Sequence, residues 1–240
     1  RTDNSMTLKA PIEKLDWPAL TEELVTSGFA SAGKLLDTQQ CTDLIEGYDS
    51  GTYRSHIHMA RYNFGRGEYK YFARPLPDLV QNLRRNLYEK LVPAANLWAQ
   101  RLNMPRQNYP DSHEAWLQQC HDAGQTRPTP LVLRYEAGDY NCLHQDLYGD
   151  IWFPFQVVFM LNTPGKDFTG GEFVLTETRP RMQSIANVIP LQLGEAAIFA
   201  VNYCPGKSVR GYSRTSLRHG VSKVRSGHRH TMGLIFHDAK

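Results

Sequence analysis

Apolar residues in the first part of the chain recur at the spacing typical of amphipathic helices. The segments with this spacing are residues 16–27, 38–51, 77–101 and 111–124. Good N-cap residues stand where two of them begin, at Asp37-Thr38 and at Asp111-Ser112. Pro93 falls inside the third segment and predicts a break or a kink there. We therefore expect the first half of the chain to be mainly helix and loop.

From Thr129 onward the pattern changes to short apolar runs separated by Gly, Pro and Asn. The runs that predict strands are residues 131–136, 141–146, 155–161, 171–177, 196–201, 218–224 and 229–236. Strands this short, with tight turns and no helix between them, indicate a sandwich or a barrel. We expect one functional domain, in which a catalytic β-core at 129–240 carries a packed helical region and substrate-side loop at 1–128.

Composition fits a globular protein with a sizeable core. The chain has 240 residues, of which 41% are hydrophobic. The sequence holds no apolar run long enough to span a membrane, and its first residues hold no apolar stretch like that of a signal peptide. Its four cysteines form no CxxC pair, so reduced thiols and a cytoplasmic location are expected.

The net charge of +3 is unevenly distributed along the chain. Residues 196–237 contain no Asp or Glu. The cations of this segment are Lys207, Arg210, Arg214, Arg218, Lys223, Arg225 and Arg229. Such a stretch favours an anionic partner, either a phosphate backbone or a dicarboxylate, while an ordinary solvated surface is the equal alternative.

The sharpest local signal is the triplet His144-Gln145-Asp146 in a predicted strand. Alternate side chains of a strand share a face, so the imidazole and the carboxylate can reach one ion. His219, in a later predicted strand, supplies a third ligand. Two histidines and one carboxylate suit iron(II) and leave positions open for substrate and oxygen. Structural zinc is a poorer alternative, because such sites usually recruit cysteine and complete four ligands.

Arg229 and Thr231 stand two residues apart in the last predicted strand and face the same way. A guanidinium and a hydroxyl together suit the far end of a dicarboxylate. The remaining histidines have no carboxylate at a useful spacing along the sequence and are expected to be ordinary ones. They are His56, His58, His113, His121, His228, His230 and His237.

Residues from about 129 to 238 resemble the double-stranded β-helix (jelly-roll) core of the oxygenases that depend on iron(II) and 2-oxoglutarate. That family has an HxD triplet on an early strand, a distal His on a late strand and a cation on the final strand. These positions are occupied by His144, Asp146, His219 and Arg229. The resemblance implies an α+β enzyme with N-terminal helices packed around a jelly-roll core. It also implies iron(II), 2-oxoglutarate and O2 as cofactors, with Tyr135 contacting 2-oxoglutarate beside Arg229 and Thr231.

The RY-x-x-G and LHQD stretches at 134–146 resemble those of AlkB-type nucleic-acid dealkylases. The whole chain is similar to a bacterial oxygenase family that acts on damaged DNA. Two features depart from the AlkB type: Ile235 stands where a second arginine is expected, and Arg229 follows His219 by only ten positions. That short spacing is similar to the prolyl hydroxylases.

The resemblance implies that 2-oxoglutarate decarboxylation drives hydroxylation or oxidative demethylation of a substrate. A nucleic-acid base and a prolyl-type protein side chain are the alternatives for that substrate. A non-catalytic, metal-dependent binding module is the third reading, and Arg229 with Thr231 counts against it, because a sensor needs no dicarboxylate anchor.

Residues 53–74 offer the best candidate substrate surface. They hold five Lys or Arg among many aromatic residues and one acid, Glu68. Binders of single-stranded nucleic acid combine cations with aromatic side chains that stack on bases. The candidates for substrate contact are Tyr53, Arg54, Arg61, Tyr62, Arg66 and Tyr69. The alternative is a segment whose aromatics cover the core while its cations reach solvent.

Overall fold

The computed structural model describes residues 11–105 and 108–240. The first residues of the chain, which hold no apolar stretch like that of a signal peptide, lie largely within residues 1–10, outside the described part. The helices are α1 Trp17–Ser27, α2 Thr38–Ser50, α3 Asp78–Arg101 and α4 His113–Asp122. Side chains cap three of them, because Asp16, Asp37 and Ser112 each accept a hydrogen bond from a backbone N–H in the first turn.

Pro93 does not break α3, so that part of the expectation is wrong. The helix continues through it to Arg101. Pro93 is exposed, and the carbonyl that loses its N–H partner belongs to Glu89, which is also exposed. Water can therefore satisfy that carbonyl, while Leu83, Leu87 and their neighbours bury the opposite side of the helix.

Antiparallel strands form two sheets. The strands are β1 Phe29–Lys34, β2 Tyr53–His58, β3 Gly65–Arg66, β4 Glu68–Phe72, β5 Leu131–Glu136, β6 Tyr140–His144, β7 Phe155–Met160, β8 Phe168–Gly170, β9 Phe173–Thr178, β10 Ile185–Ile189, β11 Glu195–Ala200, β12 Tyr203–Ser208, β13 Gly211–Val221 and β14 Val224–Ile235. The larger sheet has the order β1-β11-β7-β14-β5-β4-β2, with β8 on β14. The smaller sheet has the order β10-β9-β13-β6-β3, with β12 on β13. This is the expected α+β fold with a jelly-roll core.

The first half of the chain is more than helix and loop. Strands β1, β2 and β4 precede residue 129, yet they belong to the larger sheet: β1 and β4 pair with the core strands β11 and β5, and β2 pairs with β4. Residues 53–74 form a β-hairpin with a 3₁₀ turn at its tip, not a loop. The boundary at residue 128 stays a prediction, and the structure adds that the larger sheet draws strands from both sides of it.

Strand β14 lies between β7 and β5 and runs through the centre of the larger sheet. Its alternate residues Arg229, Thr231, Gly233 and Ile235 line one cavity, as the two-residue period of a strand requires. No helix in the described ranges is long and apolar enough to cross a membrane.

Candidate metal centre and its cavity

The three predicted metal ligands come together on the smaller sheet. His144 is the last residue of β6 and is the direct ladder partner of His219 on β13. Asp146 lies two residues beyond the end of β6, so the prediction that it belongs to the strand is wrong. The turn after β6 nevertheless brings its carboxylate between the two imidazoles. Their ligand atoms all lie within 4.8 Å of one another.

Both imidazoles point at the carboxylate of Asp146. Nε2 of His144 lies 3.3 Å from Oδ1 of Asp146, and Nε2 of His219 lies 3.0 Å from Oδ2. Nδ1 of His144 lies 2.7 Å from the carbonyl oxygen of Cys142. Because a carbonyl only accepts, Nδ1 carries the proton and Nε2 is left as the ligand atom.

Charge in the cluster favours a bound cation. Burial works against ionisation of Asp146, but His219 and His144 outweigh it and hold the pKa of Asp146 well below its usual value. Burial and the neighbouring His144 lower the pKa of His219. Against the effect of burial, Asp146 in turn raises the pKa of His144. The cluster therefore keeps its carboxylate ionised, which is the form that coordinates metal.

Tyrosines behind the cluster hold Asp146 in place. The hydroxyl of Tyr148 donates to Oδ1 of Asp146 at 2.9 Å, and the Tyr71 and Tyr148 hydroxyls are 3.3 Å apart. Burial and the charge of Asp146 raise the pKa of Tyr148, so it remains a donor. Sequence reasoning missed Tyr148, although a phenol two residues after the HxD carboxylate was visible.

The cluster opens into a cavity of about 410 Å³ between the two sheets. This volume is typical of sites for small molecules. The larger sheet contributes the alternate residues of β14 together with Tyr69 and Tyr71 of β4. His144 and His219 face them from the smaller sheet. The cavity therefore has one wall in each layer of the fold.

Arg229 stands at one end of this wall with a free hydrogen-bond donor. Its side chain is 2% exposed, its Nε donates to the Gly171 carbonyl at 2.8 Å, and its Nη2 has no partner among the described residues. A buried guanidinium donor without a partner is costly, which suits a site for an anionic ligand. Burial lowers the pKa of Arg229 to about 10, so it remains a cation at neutral pH.

Thr231 and Tyr135 lie on two sides of Arg229. Thr231 lines the cavity with Arg229, as its place two residues further along the strand predicts. Tyr135 is the ladder partner of Arg229, and the guanidinium lies 5.8 Å from its ring centroid. Tyr135 is fully buried and does not line the cavity, since Gly67 packs closely against its ring. Its hydroxyl, like Nη2 of Arg229, is buried without a hydrogen-bond partner among the described residues, and its contact with 2-oxoglutarate stays a prediction.

A family described as "Oxygenase, catalysing oxidative methylation of damaged DNA" matches residues 67–239. The chain belongs to this oxygenase family. The proteins Rv2227 and MT2286 of two Mycobacterium tuberculosis strains are each 48% identical to it over 168 residues, which is 70% of this chain and 72% of theirs. The expectation of an oxygenase is thereby confirmed.

Solved structures share the fold of this oxygenase. A prolyl-4-hydroxylase of Pseudomonas putida aligns with a TM-score of 0.52 and 13% identity over 93% of this chain and 99% of its own. An oxidoreductase of the 2OG-Fe(II) oxygenase family from Burkholderia pseudomallei aligns with a TM-score of 0.54 and 13% identity over 94% and 93%. Family, fold and the His-Asp-His cluster together support iron(II), 2-oxoglutarate and O2 as the cofactors.

Among the predicted substrate residues, Tyr69 lines the cavity. Tyr62 is exposed and stacks on Phe64 at the cavity mouth, with ring centroids 5.4 Å apart. The backbone N–H of Cys142 donates to the Phe64 carbonyl, which fixes Phe64 close to the strand that ends in His144. Phe64 was not among the predicted contacts.

Tyr62 and the remaining four predicted substrate residues do not line the cavity. Tyr53 packs on Phe72 in the hairpin, and the side chain of Arg54 donates to the Pro128 carbonyl at 2.7 Å. Arg66 pairs with Asp139 at 3.1 Å, and Arg61 is exposed. Their packing follows the alternative reading of the segment, in which aromatics cover the core.

Sequence reasoning also missed two polar groups. Gln156 is the ladder partner of Ile235, lines the cavity and has a buried Nε2 without a partner in the described residues. A lone glutamine in the apolar run FQVVFML was the available signal. His56 and His58 do have a carboxylate partner, Glu68 of the next strand, so the expectation that they lack one is wrong.

Proposed function

We propose that this oxygenase couples 2-oxoglutarate decarboxylation to oxidation of a base in single-stranded or damaged nucleic acid. The observation that carries the proposal is one cavity with a His-Asp-His cluster on one wall and an unpartnered arginine donor on the other. Bound iron(II) with 2-oxoglutarate and O2 would supply the chemistry that oxidises a substrate C–H bond and releases succinate and carbon dioxide.

The roles of the residues follow from the atoms that they leave free. His144, Asp146 and His219 would hold iron(II) through two Nε2 atoms and a carboxylate oxygen. Arg229 would bind the far carboxylate of 2-oxoglutarate through Nη2, with Thr231 beside it. Such a clamp would fix the orientation of the co-substrate, and the buried walls would exclude water.

The apolar rim of the cavity mouth is an argument for a substrate that presents a flat, uncharged group. Phe64, Leu143 and Leu147 line the cavity and keep 48%, 46% and 45% of their surfaces exposed. Exposed aromatic faces stack on bases whatever the sequence of the strand. A base in the cavity would have to be single-stranded or flipped out of a duplex.

Exposed cations near the C-terminal strands are an argument for a polyanionic partner. Residues 196–237, which contain no Asp or Glu, hold seven cations. Arg229 turns inward, and the other six are exposed on β12, β13, β14 and their connections. Lys207, Arg214 and Arg218 lie on β12 and β13, in the layer that also carries His219, whereas Arg225 lies on β14 of the larger sheet. The family description, which names damaged DNA, agrees with this partner.

Succinate release by the iron-loaded protein tests the proposal. We expect a methylated single-stranded oligonucleotide to stimulate succinate release, with an equal loss of methyl groups by mass spectrometry. Binding should weaken as salt rises, because phosphate contacts release counterions. Stimulation by a proline-containing peptide, and none by the oligonucleotide, would reject the base in favour of a prolyl-type side chain.

Phe64→Ala is expected to impair use of the oligonucleotide by about 5- to 150-fold in kcat/KM, because stacking contributes about 1–3 kcal/mol per base. The slow succinate release without oligonucleotide should stay unchanged. Phe64→Trp should preserve activity, and Met182→Ala, at another exposed apolar residue away from the cavity, is the matched control. Equal losses in Phe64→Ala and Met182→Ala would contradict the stacking role.

We also propose, from the sequence, that the protein works in the cytoplasm. The four cysteines, Cys41, Cys120, Cys142 and Cys204, are all free thiols in the structure, which agrees with a reducing compartment. Fractionation of the producing cells would test this location.

A further inference from the structure

A second cluster of metal-ligating side chains lies on the hairpin of β2 and β4. His56 and His58 alternate along β2 and therefore share a face, and their ring centroids are 4.4 Å apart. Glu68 of β4 is the ladder partner of His58. Ligand atoms of the three side chains all lie within 4.8 Å of one another.

The spacing fits a single transition-metal ion. Nε2 of His56 lies 3.6 Å from Oε1 of Glu68, and Nδ1 of His58 lies 3.9 Å from Oε2. Ligands about 2.0–2.2 Å from a tetrahedral zinc ion lie roughly 3.4 Å from one another. Small rotations of exposed side chains would therefore close the site, because the imidazoles are 39% and 45% exposed.

The carboxylate is ionised, and one of its oxygens is free for a metal. Tyr48 donates to Oε1 of Glu68 at 2.9 Å, and Arg134 donates to the same oxygen at 2.7 Å. Burial opposes ionisation, but these two donors keep the pKa of Glu68 below its usual value. Both use Oε1 and orient the group, while Oε2 faces His58. Donors behind a ligand in this way strengthen metal sites.

Two cations limit the affinity of the site. Arg134 pairs with Glu68, and Lys70 is the ladder partner of His56. The Lys70 ammonium turns to the Tyr48 carbonyl at 2.8 Å. Burial lowers the pKa of His56, so its imidazole is neutral and able to coordinate at pH 7. The two cations therefore lower the affinity of the site, while the neutral imidazole keeps it able to bind metal.

We propose that His56, His58 and Glu68 form a second divalent transition-metal site that takes zinc, with water in the fourth position. Two imidazoles and one carboxylate are a ligand set that zinc accepts with an open position. The site would cross-link β2 to β4. Tyr69 and Tyr71, at the alternate positions of β4, line the iron cavity, so the zinc site lies behind the wall that these tyrosines form.

Zinc titration by competition with a chromophoric chelator tests the proposal. The background is the full chain with His144→Ala and His219→Ala, which removes two ligands of the iron cluster. We expect this background to bind one zinc ion. Adding His56→Ala or Glu68→Gln should weaken binding at least tenfold. Adding His228→Ala should leave it unchanged, because His228 borders the same surface cavity as His58 but lies outside the cluster.

The unmodified chain gives a second measurement if the background variant does not fold. It should bind two zinc ions, and His58→Ala should bind one. A background that binds no zinc at micromolar concentration overturns the proposal. Zinc binding that is unchanged by His56→Ala also overturns it. The same holds if His228→Ala weakens zinc binding as much as His56→Ala does. Zinc binding in the background variant reports on the second site alone, because two ligands of the iron cluster are removed there. The second site can therefore fail while the proposed oxygenase activity stands.

Discussion

His144→Ala or His219→Ala is expected to reduce 2-oxoglutarate turnover below about one thousandth of the original rate. A bound metal contributes several kcal/mol to catalysis, and each 1.36 kcal/mol is a factor of ten in rate. Either change removes one of the three ligands that converge within 4.8 Å and leaves Asp146 short of a partner. Succinate release and the iron content of the purified protein measure the effect together.

His228→Ala is the matched control for these two variants, since this exposed histidine of β14 contacts neither the cluster nor the cavity. The control should keep both iron and turnover. A His144→Ala protein that retains full iron content and forms succinate at the original rate would refute the assignment of the ligands.

Arg229→Met is expected to raise the KM for 2-oxoglutarate by roughly 30- to 4000-fold, with a much smaller change in kcat. Removing one partner of a buried, hydrogen-bonded charge pair costs about 2–5 kcal/mol. The effect is large because Arg229 is buried and its Nη2 has no other partner in the described chain. Steady-state kinetics with 2-oxoglutarate as the varied substrate gives both constants.

Arg229→Lys separates charge from geometry. Lysine keeps the positive charge but loses the two-pronged donor, so its KM should fall between those of the original and Arg229→Met. Arg225→Met, at an exposed cation of the same strand, should leave the KM unchanged. A KM for 2-oxoglutarate that is unaltered in Arg229→Met would exclude this arginine as the anchor.

The convergence of the metal cluster could be predicted because each member carries a local signal. The HxD triplet joins His144 to Asp146 by spacing alone, and His219 and Arg229 stand in runs with strand periodicity. Helix ends were predictable for the same reason, since Asp37 supplies a capping box with Gln40, three residues away. Signals of this kind are complete within a few residues of sequence.

Features that depend on pairing between distant strands could not be predicted. Glu68 meets His58 only because β2 and β4 are neighbours, and Gln156 joins the cavity only because β7 pairs with β14. Strands β8, β10 and β12 were missed, since short or exposed strands lack the apolar pattern that marks buried ones. Proline and glycine within β12 hide it further.

The division of the cavity between two layers has a mechanical consequence. A dicarboxylate held by Arg229 on the larger sheet and by a metal on the smaller sheet connects layers that stand about 10 Å apart. The length of the diacid is then fixed by the separation of the sheets, and a shorter diacid cannot reach both. Release of the diacid product would break that connection. We therefore expect the sandwich to be stiffest when co-substrate is bound and to loosen once in every turnover.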